Sequence, residues 1–311
     1  MIDPTDDVLL PIGQWLRAQN YEFTTPTPAT IERVNRRPEN ARATSLRDVF
    51  GWNRPFEPSL LPAQIRRLLE QADLLAHGGP LLRSRVRFAS LDEQLYVHSE
   101  YPTVEPDAVF FGPDTYRFVR HARTIVKNKG LAPESIIDVC CGSGAGGLSL
   151  LEHFDKRPAL ILSDINANAL RFASVNARLN SMDGVALRQT NLFDGLPKAD
   201  LIIANPPYLM DSRLRKYRHG GDDHGTELSL RIAREGAAQL APGGHLIIYT
   251  GSPILAGHDE FRSKLEALSG RDLMSITYEE IDPDVFGEEL DQPLYGEVER
   301  IALVAVLISH R

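Results

Sequence analysis

The tetrapeptide Asn205-Pro206-Pro207-Tyr208 directly follows the apolar run Leu201–Ala204. Its residue types suit one kind of chemistry. An amide or aromatic amino nitrogen, with its lone pair delocalised into a π system, is a poor nucleophile. If the Asn205 side-chain oxygen and the Pro206 carbonyl each accept one of its N–H bonds, the nitrogen gains electron density and its lone pair is aimed at an electrophile. The two prolines hold φ near about −65° and keep those acceptors still, and Tyr208 offers a flat face to a planar group. The competing reading is a tight turn that closes a strand, because Asn-Pro is a common turn starter.

A second cluster is DVCCGSGAGGLSLL, beginning at Asp138. A strand that ends in glycines and runs into a helix start presents backbone N–H groups where a ligand can approach closely. Gly142, Gly144 and Gly147 spell G-x-G-x-x-G, and Asp164 lies 17 residues further on at the end of another apolar run. That spacing also satisfies a loose dinucleotide fingerprint, and three glycines can equally serve strand-to-helix packing alone. Asp138 can accept from a cationic or amino group, and the two oxygens of Asp164 can take both hydroxyls of a ribose.

Other reactive residues read as structural. Cys140 and Cys141 are adjacent and lack C-x-x-C spacing. His219 and His224 flank a Gly- and Asp-rich loop with no third ligand placed by spacing, so no metal site is expected. Arg213, Arg215, Lys216, Arg218 and His219 read either as a solvated face or as a binder of phosphates or of an acidic protein loop. Arg83, Arg85 and Arg87 fall on one strand face with the same two readings, salt bridges to the acidic C-terminal domain being the plainer one.

These residues need elements to hold them. From about residue 130, short β-rich runs alternate with helical segments, the pattern of a mostly parallel sheet covered by helices. Seven strands are expected: 135–140, 159–164, 185–189, 200–205, 245–250, 274–280 and 300–309, the last inserted antiparallel. Before that stretch the chain reads as helices: one near 6–20, a short one after the Thr/Pro cluster, and one capped by Ser45. The strongest covers LPAQIRRLLEQADLLAHGG and stops at Gly78-Gly79. LLRSRVRF then reads as a strand and QLYVH as its partner, so helices followed by a hairpin give a winged-helix-like module.

Length and composition agree with two globular parts. The chain has 311 residues, 42 % hydrophobic and 24 % charged, which excludes disorder, collagen and a disulfide scaffold. The net charge is −8, of which residues 1–100, with 12 Arg, no Lys and 13 acids, carry only −1. That argues against broad nucleic-acid binding but not against a local basic groove. The N-terminus lacks a basic stretch leading into an apolar core, and no run of about 18 apolar residues occurs, so a cytoplasmic protein with no membrane contact is expected.

Together the motifs resemble the class I S-adenosylmethionine-dependent methyltransferases that methylate amino and amide nitrogens: the HemK-type glutamine methyltransferases and the adenine-N6 methyltransferases of RNA and DNA. The likeness covers about residues 105–311. It implies a seven-stranded, Rossmann-like α/β sheet in a methyltransferase domain over 105–311, preceded by a smaller, mainly helical substrate-recognition domain over 1–104. By this resemblance Asp138, Gly142 and Gly144 line the methionine part of S-adenosyl-L-methionine. Asp164 binds its ribose, and Asn191, Leu192 and Phe193 contact its adenine. Asn205, Pro206 and Tyr208 hold the nucleophile, Asn205 also adjoining the cofactor. FFGPDTYRF, with Pro113, Asp114 and Thr115, resembles the segment that covers the cofactor, although Asp114 equally suits a helix N-cap.

The chain departs from the family in three places. Cys140 stands where the family usually has Gly, and it keeps the turn if the backbone there is not at positive φ. Asn191 stands where an Asp is usual, and Phe111-Gly112-Pro113 lacks the Arg usual between two prolines. The expected acceptor is a glutamine-bearing protein loop. An RNA base or a small-molecule amine are alternatives within the class; a nicotinamide-dependent dehydrogenase or a non-catalytic cofactor-binding module are alternatives outside it. Oligomeric state is left open.

Overall fold

The computed structural model describes residues 4–211, 213–269 and 274–310. The chain forms two compact units: Met1–Arg117 with Gly142–Ala145 and Asn168–Asp183, and Phe118–Cys141 with Gly146–Ala167 and Gly184–Arg311.

The first unit contains helices α1 (Pro4–Ala18), α2 (Pro28–Asn35), α3 (Leu46–Phe50) and α4 (Ala63–Gln71). It also contains two hairpins, β1 (Leu75–Gly78) with β2 (Leu81–Ser84), and β3 (Val86–Leu91) with β4 (Gln94–Ser99). Helix α3 starts where expected, with Ser45 accepting from the Asp48 N–H and Asp48 accepting from Ser45 in return.

Two expectations fail here. The long helix ends at Gln71 and not at Gly78-Gly79, because Asp73 takes a left-handed conformation (φ +53°) and Leu75 opens a strand paired with Ser84. Gly78 therefore ends a strand paired with Leu81, and Gly79-Pro80 make the hairpin turn. LLRSRVRF is likewise two strands: the Ser84 hydroxyl bonds the Val86 carbonyl (2.7 Å) and amide (3.2 Å) at a corner, sending the halves into separate hairpins. Arg87 is turned inward, 1 % exposed, with its Nε donating to the Ser99 carbonyl at 3.0 Å, so the three arginines share no surface face.

The core of this unit packs Leu9, Ile12 and Leu16 of α1 with Phe50, Phe88 and Val97 and with Phe172 and Val175 of α7 (Ala167–Leu179). Asn176, fully buried on α7, substitutes for a missing strand neighbour: its Oδ1 accepts from the Val97 N–H (2.7 Å), and its Nδ2 donates to the Val97 (3.1 Å) and Ser143 (2.9 Å) carbonyls.

Helix α5 (Pro113–Lys129) leads into the second unit, where all seven expected strands form. They are β5 (Ser135–Val139), β6 (Ala159–Asp164), β7 (Ala186–Gln189), β8 (Ala199–Ala204), β9 (Leu240–Leu255), β11 (Met274–Asp282) and β12 (Arg300–His310). A two-residue β10 (His258–Asp259) folds back on β9, and helices α6 (Ala145–Leu151), α8 (Glu227–Gln239) and α9 (Glu260–Ser269) complete the list. The sheet order is β11-β12-β9-β8-β5-β6-β7, parallel from β9 to β7, with β12 antiparallel between β9 and β11 as expected. Ile137, Val139, Ile202, Ala204, Ile248 and Val304 form the apolar centre, with Ile232 of α8 and Phe261 of α9 packed on it. The mostly parallel, Rossmann-like α/β reading holds. The chain leaves β5 toward β6 and β7 and returns to β8 on the other side, so the order reverses at β5. Ligands of open α/β sheets bind beyond the strand carboxyl ends at such a reversal.

Asn176→Ala strands three buried backbone groups and is expected to lower stability by about 2–4 kcal/mol, read from the urea midpoint. A loss well under 1 kcal/mol would show that water replaces the amide.

Candidate functional site

Val139 pairs with Ser163 on one side and Ala204 on the other. Cys140, Asp164 and Asn205, the next residues, therefore leave the sheet side by side. Two strand spacings separate the ends of β6 and β8, about 10 Å.

Asp138 lies on β5, 2 % exposed, with Oδ2 accepting from the Gly147 N–H at 2.7 Å. Burial pushes its carboxyl up to about 7 and the negative charge of Asp164 adds to this, while the Gly147 bond opposes it. A Cβ on Gly146 would stand 2.9 Å from that carboxylate and 2.6 Å from Phe118, and one on Gly147 would stand 2.8 Å from Leu162. The start of α6 thus approaches the sheet by a distance only glycine permits.

The turn in between corrects the reading of Cys140. Its φ is +58°, in the left-handed region, so the residue that replaces glycine here keeps the turn at a cost of about 1–2 kcal/mol. Burial and the two nearby carboxylates push both cysteine thiols well above their ordinary range, so neither is a thiolate nucleophile. Gly142 (φ +52°) and Gly144 (φ +79°), which belong to the first unit, also need positive φ.

Asp164 ends β6 half-buried, with Oδ1 accepting from the Asn166 N–H at 2.8 Å. Beside it Ile165 is 55 % exposed, an apolar face that sequence reasoning missed. After β7, the Thr190 N–H donates to the Asp164 carbonyl at 3.1 Å and places the exposed Asn191 nearby. Leu192 and Phe193 turn into the core, the Phe193 ring lying against Gly236 of α8, so what they present outward is backbone.

Asn205 is half-buried, and its side-chain amide makes no hydrogen bond to another described residue. Pro206 is buried. The Tyr208 ring is 7 % exposed, covers Gly251 of β9 and meets the Phe286 ring edge-on with centroids 5.9 Å apart, so it forms a wall and not an open platform. The Gly-rich loop folds onto this tetrapeptide: a Cβ on Gly220 would stand 2.8 Å from the Pro207 carbonyl, and one on Gly225 2.5 Å from that of Tyr208. Within this loop His219 accepts from the Asp211 N–H at 3.3 Å, and the His224 ring lies near Tyr295.

The basic run is divided. Arg215 grips the 6 %-exposed Asp211 through two nitrogens at 2.6 and 2.9 Å, which holds that carboxyl down to about 2. Arg218 pairs with the buried Glu289. Only Arg213 and Lys216 stay fully at the surface. Thr115 lies in the first unit, its hydroxyl accepting from the Gly112 N–H at 3.3 Å. Asp114 is a first-turn residue 3.7 Å from Arg117, since α5 begins at Pro113 and Gly112 occupies the cap.

Residues 122–255 match the methyltransferase small domain family. The release factor glutamine methyltransferase of Borreliella burgdorferi is 28 % identical over 207 residues, 62 % of this chain and 68 % of that protein. That of Clostridium acetobutylicum is 30 % identical over 160 residues, 46 % of this chain and 53 % of that protein. The ribosomal protein uL3 glutamine methyltransferase of Francisella tularensis is 33 % identical over 132 residues, 38 % and 41 % respectively. The chain thus spans about two thirds of the first, about half of the second and about two fifths of the third.

Two outcomes follow from the β5 turn. The folded state keeps the Asp138 proton that the unfolded chain releases near its ordinary value of 3.8, so its contribution to stability is complete below about pH 4 and fades as pH rises to about 7. Asp138→Asn should therefore flatten the stability–pH profile of the ligand-free protein between those limits; superimposable melting profiles would contradict the assignment. Cys140→Gly relieves the left-handed strain against glycine's larger unfolded-state entropy, a net gain of about 0.5–1 kcal/mol and about 2 °C in Tm. A lower Tm in calorimetry would contradict it.

Proposed function

We propose that this chain, an S-adenosylmethionine-dependent methyltransferase of the methyltransferase small-domain family, methylates the side-chain amide nitrogen of a protein glutamine. The observation that carries this reading is the Asn205 amide, which ends β8 directly before two prolines, beside the reversal at β5, and makes no hydrogen bond to another described residue. The names of the relatives support the glutamine acceptor. So does the internal neutralisation of Arg215 and Arg218, which removes the basic groove a polyanionic acceptor would use.

The residues present fit the cofactor. Asp164 supplies carboxylate oxygens for a ribose, Ile165 an apolar face for a flat base, and Asn191 an exposed amide for its polar edge. Gly146 and Gly147 keep the strand-to-helix turn clear of side chains beside the Asp138 carboxylate. When bound, the cofactor supplies an electrophilic sulfonium methyl group.

The side-chain oxygen of Asn205 and the carbonyl of Pro206 accept the two N–H bonds of the acceptor amide and turn its lone pair toward that methyl. Tyr208 closes the wall beside it. Held so, the nitrogen would be placed to take the methyl the cofactor supplies, and the proton it sheds would leave to water. No strong base is needed; positioning and polarisation carry the rate.

Asn205→Ala should lower methyl transfer to a peptide chain release factor by about 10²-fold or more and leave S-adenosylhomocysteine affinity within about twofold. Asp164→Ala should weaken that affinity by about tenfold or more, measured by calorimetry. Wild-type turnover in the first variant would sink the mechanism, and wild-type affinity in the second the ribose assignment. Tritium from labelled cofactor appearing in the RNA and not the protein fraction of an extract would replace the glutamine acceptor by a base.

A further inference from the structure

We propose that Glu289 is a positioning residue that holds the Asn205–Tyr208 turn in its working arrangement through Arg218; this rests on the reading that Asn205 receives the acceptor. Glu289 lies in the insert between β11 and β12, on a short turn over Gly287–Asp291, and is 5 % exposed. Three contacts from this insert reach the segment that follows Pro207. Glu289 pairs with Arg218, whose carbonyl accepts from the Leu209 N–H at 3.1 Å. The buried Tyr295 accepts from the Met210 N–H at 2.7 Å, and the Phe286 ring packs on Tyr208.

The insert is itself anchored to the sheet. Val285 N–H donates to the Ile301 carbonyl and Glu299 N–H to that of Ile254, both at 2.9 Å. Asp211 stands 3.9 Å from Arg218 while it grips Arg215, so the arginine that meets Glu289 is also steered from inside the loop.

Stability alone does not require this arrangement. Apolar residues of similar volume would hold two segments together as well or better, because burying both charges costs several kcal/mol of desolvation that their attraction only repays. What a buried ion pair adds is one permitted register. Here that register sets where the chain leaves Tyr208, one residue beyond the two prolines that orient Asn205.

The test uses the 311-residue chain with Glu289→Gln and the charge-conserving Glu289→Asp. Amide exchange is followed by mass spectrometry over residues 208–211, S-adenosylhomocysteine binding by calorimetry, and tritium transfer to a release factor or uL3 as separate kcat and KM values. In Glu289→Gln, exchange over 208–211 is expected to rise about tenfold and kcat to fall about tenfold, with S-adenosylhomocysteine affinity and the KM for S-adenosylmethionine within about twofold of wild type. Glu289→Asp should recover part of both losses.

Wild-type exchange in Glu289→Gln overturns the proposal whatever the turnover does, and so does loss of S-adenosylhomocysteine binding in parallel with activity, which would mark general unfolding. If neither acceptor is labelled by the wild-type protein, the exchange result still decides. Asn205→Ala, assayed beside them, separates the two readings: unimpaired turnover there removes the role of Asn205, while the exchange data judge Glu289 on their own.

Discussion

The hydrogen bond from the Gly147 amide to the buried Asp138 carboxylate sets the geometry on which the candidate site depends. It ties the last residues of β5 to the first turn of α6, and everything between them must turn in a few residues. That is why two glycines sit where a Cβ would strike the carboxylate and the β6 side chains, and why Cys140 is held at positive φ. Backbone strain of this kind persists only when its surroundings over-determine it. They do so here: Val139 is paired on both sides, and the Cys141 N–H donates to the Ser163 carbonyl at 3.1 Å. The same burial makes Asp138 a poor carboxylate in the ligand-free protein, and a cationic or N–H-donating ligand reverses that by favouring the ionised form.

The turn after β8 is made rigid by different means. Prolines limit the backbone from within, and the Gly220 and Gly225 backbone packs on it from outside. Charged side chains then fix the exit path. The two turns are neighbours because β5 and β8 pair in parallel register, so one polar edge of the sheet carries a carboxylate, a pair of close-packed glycines and the half-buried Asn205 amide.

Much of this edge was legible in the sequence. All seven strands of the main sheet were readable because each is a short β-rich apolar run bounded by turn residues, and the antiparallel last strand followed from its long acidic approach loop. Asp164 and Asn205 were readable because strand-end positions follow from strand limits. Helix α4 was overread, since Leu74 and Leu75 fit helical spacing equally well and only the pairing of Leu75 with Ser84 decides for a strand. Phe193, expected beside the adenine by resemblance, has its ring in the gap at Gly236, an inward direction that no local motif shows. Glu289 carried no local signal at all: its partner is 71 residues away, and long-range ion pairs have no periodicity.

The fate of the basic run shows why local charge is a weak guide to partners. Five cationic or titratable residues between Arg213 and His219 suggest a binding face, but Arg215 and Arg218 meet buried acids, and His219 meets a backbone amide. What stays at the surface is mixed: Arg213 and Lys216 stand near in sequence to the exposed Asp222, Asp223 and Glu227. A field of both signs releases few counterions on meeting a polyanion and so gives little salt-dependent affinity. It can still discriminate between protein surfaces, where complementary pairs set orientation more than strength. The internal charges thus tie the loop after β8 to itself and to the segment before β12, and few are left at the surface.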